Sequence, residues 1–283
     1  MTRWIQPEHR QHFATQGYVV IPGVLPANRV EDAVRDIAAY VSADLADPET
    51  WYNMPHQLDG VVPLHHAQSL WNIRQDENLY QMFTEFFGTH RLRVDINRCI
   101  FRSPVRDANP WISHSDIHWD TDPMGPAEEA LQACIPLTPI RANTGGFQCI
   151  PEIYRQLDAW LNENARGRAH FDFQRPCLNN HRGIVQIDAE AGDVILWSTR
   201  LPHGSASNLS RRSRIATFVT MCPPADSDEL RMELEELWLT RRPPWYWRGL
   251  PAQYDPEPGD APAELTSLGK RLLGVLPWDE PNP

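Results

Sequence analysis

Residues 114–122 read His-Ser-Asp-Ile-His-Trp-Asp-Thr-Asp, and this stretch is the starting point for interpreting the whole chain. In an extended strand, side chains two residues apart point to the same face of the sheet. A histidine and an aspartate with that spacing can therefore reach one metal ion from the same side. The stretch contains two such pairs, His114 with Asp116 and His118 with Asp120. Strand geometry alone does not choose between them.

A second segment, far along the chain, supplies a further histidine and a cation. Leu201-Pro202-His203-Gly204-Ser205 follows a predicted strand over 193–197, and Arg214 lies on the next predicted strand, 213–222. Two imidazoles and one carboxylate form the facial triad of non-haem iron oxygenases. An arginine directed inward beside a metal centre needs an anion, and its planar fork suits a carboxylate. A dicarboxylate that chelates iron at one end and is held by Arg214 at the other satisfies both demands.

Several motifs of the chain resemble those of one protein family. They are His118-Trp119-Asp120-Thr121, a predicted strand over 131–138, the turn segment 145–151 and the segment 201–205. With Arg214 after the second histidine, this order resembles the phytanoyl-CoA dioxygenase family of Fe(II)- and 2-oxoglutarate-dependent oxygenases. The resemblance covers most of the chain. It favours His118 and Asp120 over the pair His114 and Asp116.

The resemblance implies a set of site residues and a reaction. Fe(II) is expected at His118, Asp120 and His203, while 2-oxoglutarate is expected at Arg214 with hydrogen bonds from Ser205, Gln132 and Asn97. The reaction implied is oxidation by O2, most simply hydroxylation, of a small-molecule metabolite, with release of succinate and CO2. Because the ligand set already contains a carboxylate, no position is left open for a halide, and halogenation is not expected.

The rest of the pattern predicts a mainly β fold with an α-helical cover. Short strands separated by Gly/Pro turns suggest a double-stranded β-helix, that is, a jelly-roll or cupin-like barrel, over about residues 91–222. N-terminal helices within residues 1–90 and a tail over 223–283 are expected to pack on it, so that 1–283 forms a single dioxygenase domain. Residues 47–76 read as an irregular lid or surface loop, and 92–102 as one alternating strand.

Composition narrows the classes of partner. The net charge of −11 argues against a nucleic-acid groove or an anionic membrane surface. The chain contains no apolar run long enough to span a bilayer and no signal-peptide pattern, and its five cysteines are scattered singly. These features predict reduced thiols and a cytoplasmic location. The oligomeric state is not indicated.

Two other interpretations use the same residues. One is a non-catalytic metal-binding jelly-roll protein, such as a sensor or a degenerate paralogue. Arg214 counts against it, because a sensor has no need of a clamp for a cosubstrate. The other is a zinc hydrolase, which requires an activated water and a general base with a raised pKa. No residue stands out in the sequence as that base.

Overall fold

The computed structural model describes residues 3–52, 60–107, 115–123, 131–164, 176–224, 227–244, 257, 259 and 261–279. Helices are concentrated toward both ends of this part of the chain. They are α1 (Pro7–Gln16), α2 (Ala27–Tyr40), α3 (Gln68–Arg74), α4 (Glu77–Phe87), α5 (Pro151–Arg155), α6 (Leu157–Asn164), α7 (Asp228–Thr240) and α8 (Ser267–Leu273). Among the described residues, no helix is long and apolar enough to span a membrane.

The strands lie between these groups of helices, apart from the first two. They are β1 (Tyr18–Ile21), β2 (Val61–Val62), β3 (Arg93–Val94), β4 (Cys99–Arg102), β5 (Ser115–His118), β6 (Leu131–Pro136), β7 (Phe147–Cys149), β8 (Val185–Gln186), β9 (Val194–Ser198), β10 (His203–Ser205), β11 (Arg214–Phe218) and β12 (Met221–Cys222).

The strands form two main antiparallel sheets and one two-stranded ribbon. The larger sheet has the order β1-β9-β6-β11-β4-β2, the smaller sheet the order β5-β10-β7-β8, and β12 pairs with β3. The described strands do not close into a barrel. The predicted antiparallel sheets with a helical cover are therefore confirmed.

One face of the larger sheet packs against the helices. Alternate side chains of its strands, such as Phe101 on β4 and Ile215 on β11, share one buried apolar core with side chains of α2, α3, α4, α7 and α8. Ile37 of α2 and Leu272 of α8 are both fully buried in it. The opposite face of the same sheet turns toward the smaller sheet, and the candidate site lies there.

Gly17 separates the helix α1 from the strand β1, which follows it directly. Gly17 ends α1 in the left-handed conformation (φ 78°), and an added Cβ there would lie 2.7 Å from the ring of Tyr154. Only glycine satisfies both conditions.

Two predictions were wrong in a way that matters for the site. Residues 47–76 include the helix α3, which has no side-chain cap at its start. Five of its seven residues are buried, so the stretch lacks the broad polar face that marks a surface helix. The predicted strand 92–102 is two strands, β3 and β4, with an interruption at 95–98. The interruption shifts the alternation, so Val94 and Phe101 face the helices while Ile100 faces the cavity.

Candidate metal centre

The two histidines of the site face each other across neighbouring strands. In the antiparallel pairing of β5 and β10, His118 and His203 are directly opposite, and their ring centroids are 4.9 Å apart. The next residue, Trp119, is buried on the other side and donates a hydrogen bond from Nε1 to the carbonyl of Arg200 (2.9 Å). This bond ties the end of β5 to the start of β10, which fixes the relative position of the imidazoles.

Asp120 lies just beyond the end of β5 and completes the group. His118 Nε2 is 3.2 Å from Asp120 Oδ1, and His203 Nε2 is 3.4 Å from Asp120 Oδ2. One potential ligand atom from each residue lies within 4.8 Å of the others. Among the described residues, this is the group of His, Cys, Asp or Glu side chains close enough together to share a metal ion.

The imidazoles are oriented as metal ligands require. His118 Nδ1 lies 2.6 Å from the carbonyl of Asp116, and His203 Nδ1 lies 2.9 Å from the carbonyl of Leu201. A carbonyl only accepts, so each Nδ1 carries a proton and each Nε2 faces Asp120; a bound metal ion would take the Nε2 lone pair in place of this contact. Such backbone partners are the usual means of fixing a histidine ligand. The donor set, two neutral imidazoles and a carboxylate, fits Fe(II).

The electrostatics of the trio favour a bound cation. Burial raises the pKa of Asp120, but hydrogen bonds from His118 and His203 outweigh it and hold that pKa well below its usual range. Burial lowers the pKa of His118, but the hydrogen bond and charge of Asp120 prevail and raise it above its ordinary value. An ionised carboxylate between two imidazoles is therefore the stable state, and it attracts positive charge.

A cavity of about 390 Å³ opens from this centre between the two sheets. Its size is at the lower end of the range of about 300–1,000 Å³ that is usual for small-molecule sites. All seven residues predicted for the site line it: Asn97, His118, Asp120, Gln132, His203, Ser205 and Arg214. The structure thus brings together residues from β5, β6, β10 and β11.

Arg214 is a buried cation in the wall of this cavity. Its side chain donates from Nη1 to Ser205 Oγ (3.2 Å) and contacts Cys134 Sγ through Nη2 (3.8 Å). It is 3% exposed, and burial lowers its pKa. No carboxylate within the described part of the chain forms an ion pair with it. A guanidinium in this state is suited to bind an anion from outside the protein.

Gln132 and Asn97 occupy different parts of the cavity wall. Gln132 Nε2 donates to Asp120 Oδ2 (2.6 Å), so its amide holds the carboxylate of the metal centre. The backbone carbonyl of Asn97 accepts a hydrogen bond from Arg74 Nη2 (2.9 Å) on α3, which fixes that stretch of chain beside the cavity. A cosubstrate contact for either residue stays a prediction.

The alternative pair is only partly described. His114 lies outside the described residues. Asp116 accepts a hydrogen bond from Asn179 Nδ2 (2.5 Å), and Asn179 Oδ1 accepts one from the backbone N–H of Ile117 (2.7 Å). Sequence reasoning missed Asn179, because a lone asparagine in a stretch without periodicity gives no signal.

One arginine of the cavity was also missed. Arg98 lines the cavity on the same face as Ile100. The predicted unbroken alternation of 92–102 assigned Ile100 to an apolar face together with Val94, which hid the cationic position at 98. Arg102, which also lines the cavity, lies in a segment that the sequence suggested for the pocket mouth.

The comparisons with known proteins agree with this geometry. The model of the family described as phytanoyl-CoA dioxygenase (PhyH) matches residues 13–216, a span that contains every residue of the trio and Arg214. The chain belongs to the phytanoyl-CoA dioxygenase family. Membership confirms the predicted class, a 2-oxoglutarate-dependent non-haem iron dioxygenase with Fe(II) and 2-oxoglutarate as cofactors, and the trio is a site that suits the iron.

Individual relatives and solved structures are also similar to this phytanoyl-CoA dioxygenase family member. A putative phytanoyl-CoA dioxygenase of Dictyostelium discoideum is 20% identical over 279 residues, covering 79% of this chain and 77% of that protein. The crystal structure of HygX from Streptomyces hygroscopicus with nickel and 2-oxoglutarate bound has a TM-score of 0.54 at 16% identity, covering 78% of this chain and 88% of HygX. The epimerase SnoN, in complex with Fe3+, alpha ketoglutarate and nogalamycin RO, has a TM-score of 0.54 at 14% identity, covering 89% and 95%. At these identities the structures show a shared fold.

Proposed function

We propose that His118, Asp120 and His203 hold the Fe(II) of this dioxygenase, and that Arg214 and Ser205 bind the distal carboxylate of 2-oxoglutarate. The observation that carries the proposal is the convergence of the trio at one end of a cavity whose wall also contains a buried arginine. When bound, iron and 2-oxoglutarate together activate O2 and yield succinate and CO2. Gln132 keeps Asp120 in place through its amide.

We propose hydroxylation of a small-molecule metabolite as the reaction. The modest cavity volume supports a small substrate. The nogalamycin RO bound to SnoN and the biosynthesis-cluster relative from Aspergillus versicolor support a metabolite. The protein's own contribution is to orient the cosubstrate and substrate and to exclude water from the cavity.

Three broader features belong to the same proposal. Two antiparallel sheets facing each other across the cavity support a jelly-roll, cupin-like barrel and a single domain over 1–283. Four described cysteines are free thiols, which supports a cytoplasmic location. The negative net charge supports an enzyme that uses O2 and a small molecule and binds neither nucleic acid nor membrane.

The burial of Arg214 argues against the alternative that this protein binds a metal without catalysing a reaction. Burying a guanidinium without a carboxylate partner costs stability, and a protein that only binds a metal gains nothing in return. An enzyme that binds a dicarboxylate offsets this cost each time the cosubstrate enters.

The test is anaerobic addition of Fe(II) and 2-oxoglutarate, followed by a succinate-release assay over candidate metabolites. The wild-type protein should develop the weak visible charge-transfer band of the chelate. His118→Ala and His203→Ala should each abolish it, because two ligands do not hold the iron in competition with water. His114→Ala is the matched control and should retain it. Loss of the band in His114→Ala with retention in His118→Ala would move the site to the pair His114 and Asp116.

A further inference from the structure

The strand that carries His118 is held by an asparagine from outside its sheet. β5 is the end strand of the smaller sheet, and the edge of a sheet leaves backbone N–H and C=O groups without partners in a ladder. A 3-10 helix, Pro176–Asn180, contacts β5. From this helix, Asn179 Oδ1 accepts a hydrogen bond from the N–H of Ile117 (2.7 Å), and Asn179 Nδ2 donates to the side chain of Asp116 (2.5 Å). One side-chain amide therefore binds two successive residues of β5.

The N–H that Asn179 binds belongs to the same peptide group as the carbonyl that holds His118. The N–H of Ile117 and the C=O of Asp116 are the two polar ends of one peptide group, which is planar and rigid. His118 Nδ1 lies 2.6 Å from that carbonyl, and Nε2 on the far side of the ring lies 3.2 Å from Asp120 Oδ1. A rotation of this peptide group would turn the carbonyl away from Nδ1. Because Asn179 fixes the N–H end, it also fixes the carbonyl and the direction of the imidazole.

The other histidine of the trio, His203, is oriented by different means. Its Nδ1 lies 2.9 Å from the carbonyl of Leu201, whose peptide group leads into Pro202 and therefore has no N–H. There the proline ring restricts the backbone, and the side chain of Leu201 is fully buried. The two histidines thus depend on separate supports. A change at Asn179 should disturb the orientation of His118 and leave that of His203 intact.

The 3-10 helix is also anchored on β5 by apolar packing that does not involve Asn179. Leu178 is buried in one cluster with Ile117 and Trp119, whose side chains lie on the face of β5 opposite to the metal ligands. This packing brings the helix against the strand, whereas the amide of Asn179 sets the direction of one peptide group. The two contributions come from neighbouring residues, so they can be tested separately.

We propose that Asn179 is a positioning residue for the metal ligand His118, acting through the peptide group between Asp116 and Ile117. The inference rests on the function proposed above, because it takes His118 as a ligand of Fe(II). Asn179 itself is outside the described lining of the cavity, so it acts on the site only through β5. Loss of a group that orients a ligating histidine typically weakens metal binding about 10- to 100-fold. Asn179 therefore sets how tightly the trio holds iron.

The first measurement is the affinity for Fe(II). The protein is titrated anaerobically with Fe(II) at saturating 2-oxoglutarate, following the charge-transfer band. Asn179→Ala and Asn179→Leu both remove the two hydrogen bonds, and Asn179→Leu also keeps the volume of the side chain. Each should weaken Fe(II) binding about 10- to 100-fold. Leu178→Ala is the matched control, since it loosens the same 3-10 helix but keeps the amide, and it should bind Fe(II) as the wild type does.

The second measurement follows the two imidazoles separately. In the protein loaded with diamagnetic Zn(II), NMR resolves the Nδ1–H proton of each ligand histidine, assigned with His118→Ala and His203→Ala. In the wild type both protons should exchange slowly with water, since each is hydrogen-bonded to a carbonyl. In Asn179→Leu the His118 proton should exchange about 5- to 10-fold faster, as expected when one hydrogen bond is weakened. The His203 proton should exchange at the wild-type rate, which also shows that the variant is folded.

Three results would overturn the inference. They are wild-type Fe(II) affinity in both Asn179 variants, an equal loss of affinity in Leu178→Ala, and equally faster exchange of the His118 and His203 protons. The last two would mean that the whole segment is loosened and that the amide has no specific role. Undiminished Fe(II) binding by His118→Ala would overturn the proposed function and this inference together. Loss of Fe(II) binding in His118→Ala, with wild-type affinity in both Asn179 variants, overturns the inference alone.

Discussion

The two faces of the larger sheet are built from the same strands but serve different purposes. On β6, Ile135 packs into the helix-covered core, whereas Gln132 and Cys134 line the cavity. On β11, Ile215 faces the helices and the neighbouring Arg214 faces the cavity. The apolar face stabilises the fold, while the other face carries the polar groups that line the cavity. Residues of the two faces alternate along each strand. Substitutions on the helix-covered face should therefore lower the free energy of unfolding, whereas substitutions on the cavity face should mainly affect cosubstrate binding.

The largest effect on stability is expected from the helix-covered face. Phe101→Ala removes a fully buried ring from the core between sheet and helices and should lower the free energy of unfolding by about 3–5 kcal/mol. Phe218→Ala, on the cavity face of β11, should cost clearly less, because its half-buried ring already borders open space. Urea unfolding of the metal-free proteins measures both. Equal losses would show that the two faces are not energetically distinct.

A substitution on the cavity face should change the free energy of unfolding in the opposite direction to a substitution in the core. Arg214→Met should raise the 2-oxoglutarate concentration needed for the charge-transfer band about 10- to 100-fold, since charge-assisted hydrogen bonds are worth about 1.5–3 kcal/mol. The same variant should leave the metal-free protein as stable as the wild type or more stable, because a buried guanidinium without a carboxylate partner is replaced by an apolar side chain.

Arg102→Met is the matched control for this variant, since Arg102 is the direct cross-strand partner of Arg214. A steep rise in the 2-oxoglutarate requirement for Arg102→Met, with none for Arg214→Met, would assign the clamp to the other arginine. Spectroscopic titration at fixed Fe(II) distinguishes the two outcomes.

The sequence predicted the apolar face and the metal trio for different physical reasons. Apolar periodicity reveals α2, a β-rich run closed by Pro22-Gly23 reveals β1, and a His-x-Asp spacing reveals His118 and Asp120, because each of these signals is local. The pairing of His118 with His203 is not local: the chemistry of the triad called for a distant histidine, and the family resemblance selected His118 over His114 as its partner. Arg98 and Asn179 could not be found, since the position of Arg98 was hidden by the interpretation of 92–102 as one unbroken strand, and that of Asn179 depends on a contact between distant segments.

A buried polar cluster on the helix side is the exception to the division between the faces. Glu257 accepts hydrogen bonds from the backbone N–H groups of His65 and His66, the latter at 2.8 Å, and Arg74 of α3 donates to the carbonyl of His65 (2.5 Å). The ring of His66 packs near Trp71 in the apolar core, and its Nε2 lies 2.8 Å from the carbonyl of Arg242. The cluster joins a C-terminal residue to the segment after β2.

The cluster contains two groups whose pKa shifts oppose each other. Burial raises the pKa of Glu257 to about 7 from 4.5, although the His66 and His65 N–H groups and the charges of Arg74 and Arg241 act against it. Burial also lowers the pKa of His66 to about 3 from 6.5; Arg74, His65 and Arg241 add to this, while the Arg242 carbonyl opposes it. The folded state therefore binds a proton on Glu257 more tightly than the unfolded state does, and one on His66 less tightly.

The smallest effect is a pH dependence that single substitutions should uncover. The contribution of Glu257 to the free energy of unfolding falls as pH rises from about 4.5 to 7. The contribution of His66 falls as pH drops from 6.5 to about 3. Between about pH 4.5 and 6.5 these two pH dependences have opposite sign and cancel. Glu257→Gln should expose a loss of stability on acidification, and His66→Gln a loss on raising the pH, each by up to about 1.4 kcal/mol per pH unit. Urea unfolding of the metal-free proteins over this range gives the slopes. Both variants should form the charge-transfer band at the wild-type 2-oxoglutarate concentration, because this polar cluster lies on the helix-covered face. A change in the 2-oxoglutarate concentration that is needed would instead show coupling to the cavity through Asn97, whose carbonyl accepts a hydrogen bond from Arg74.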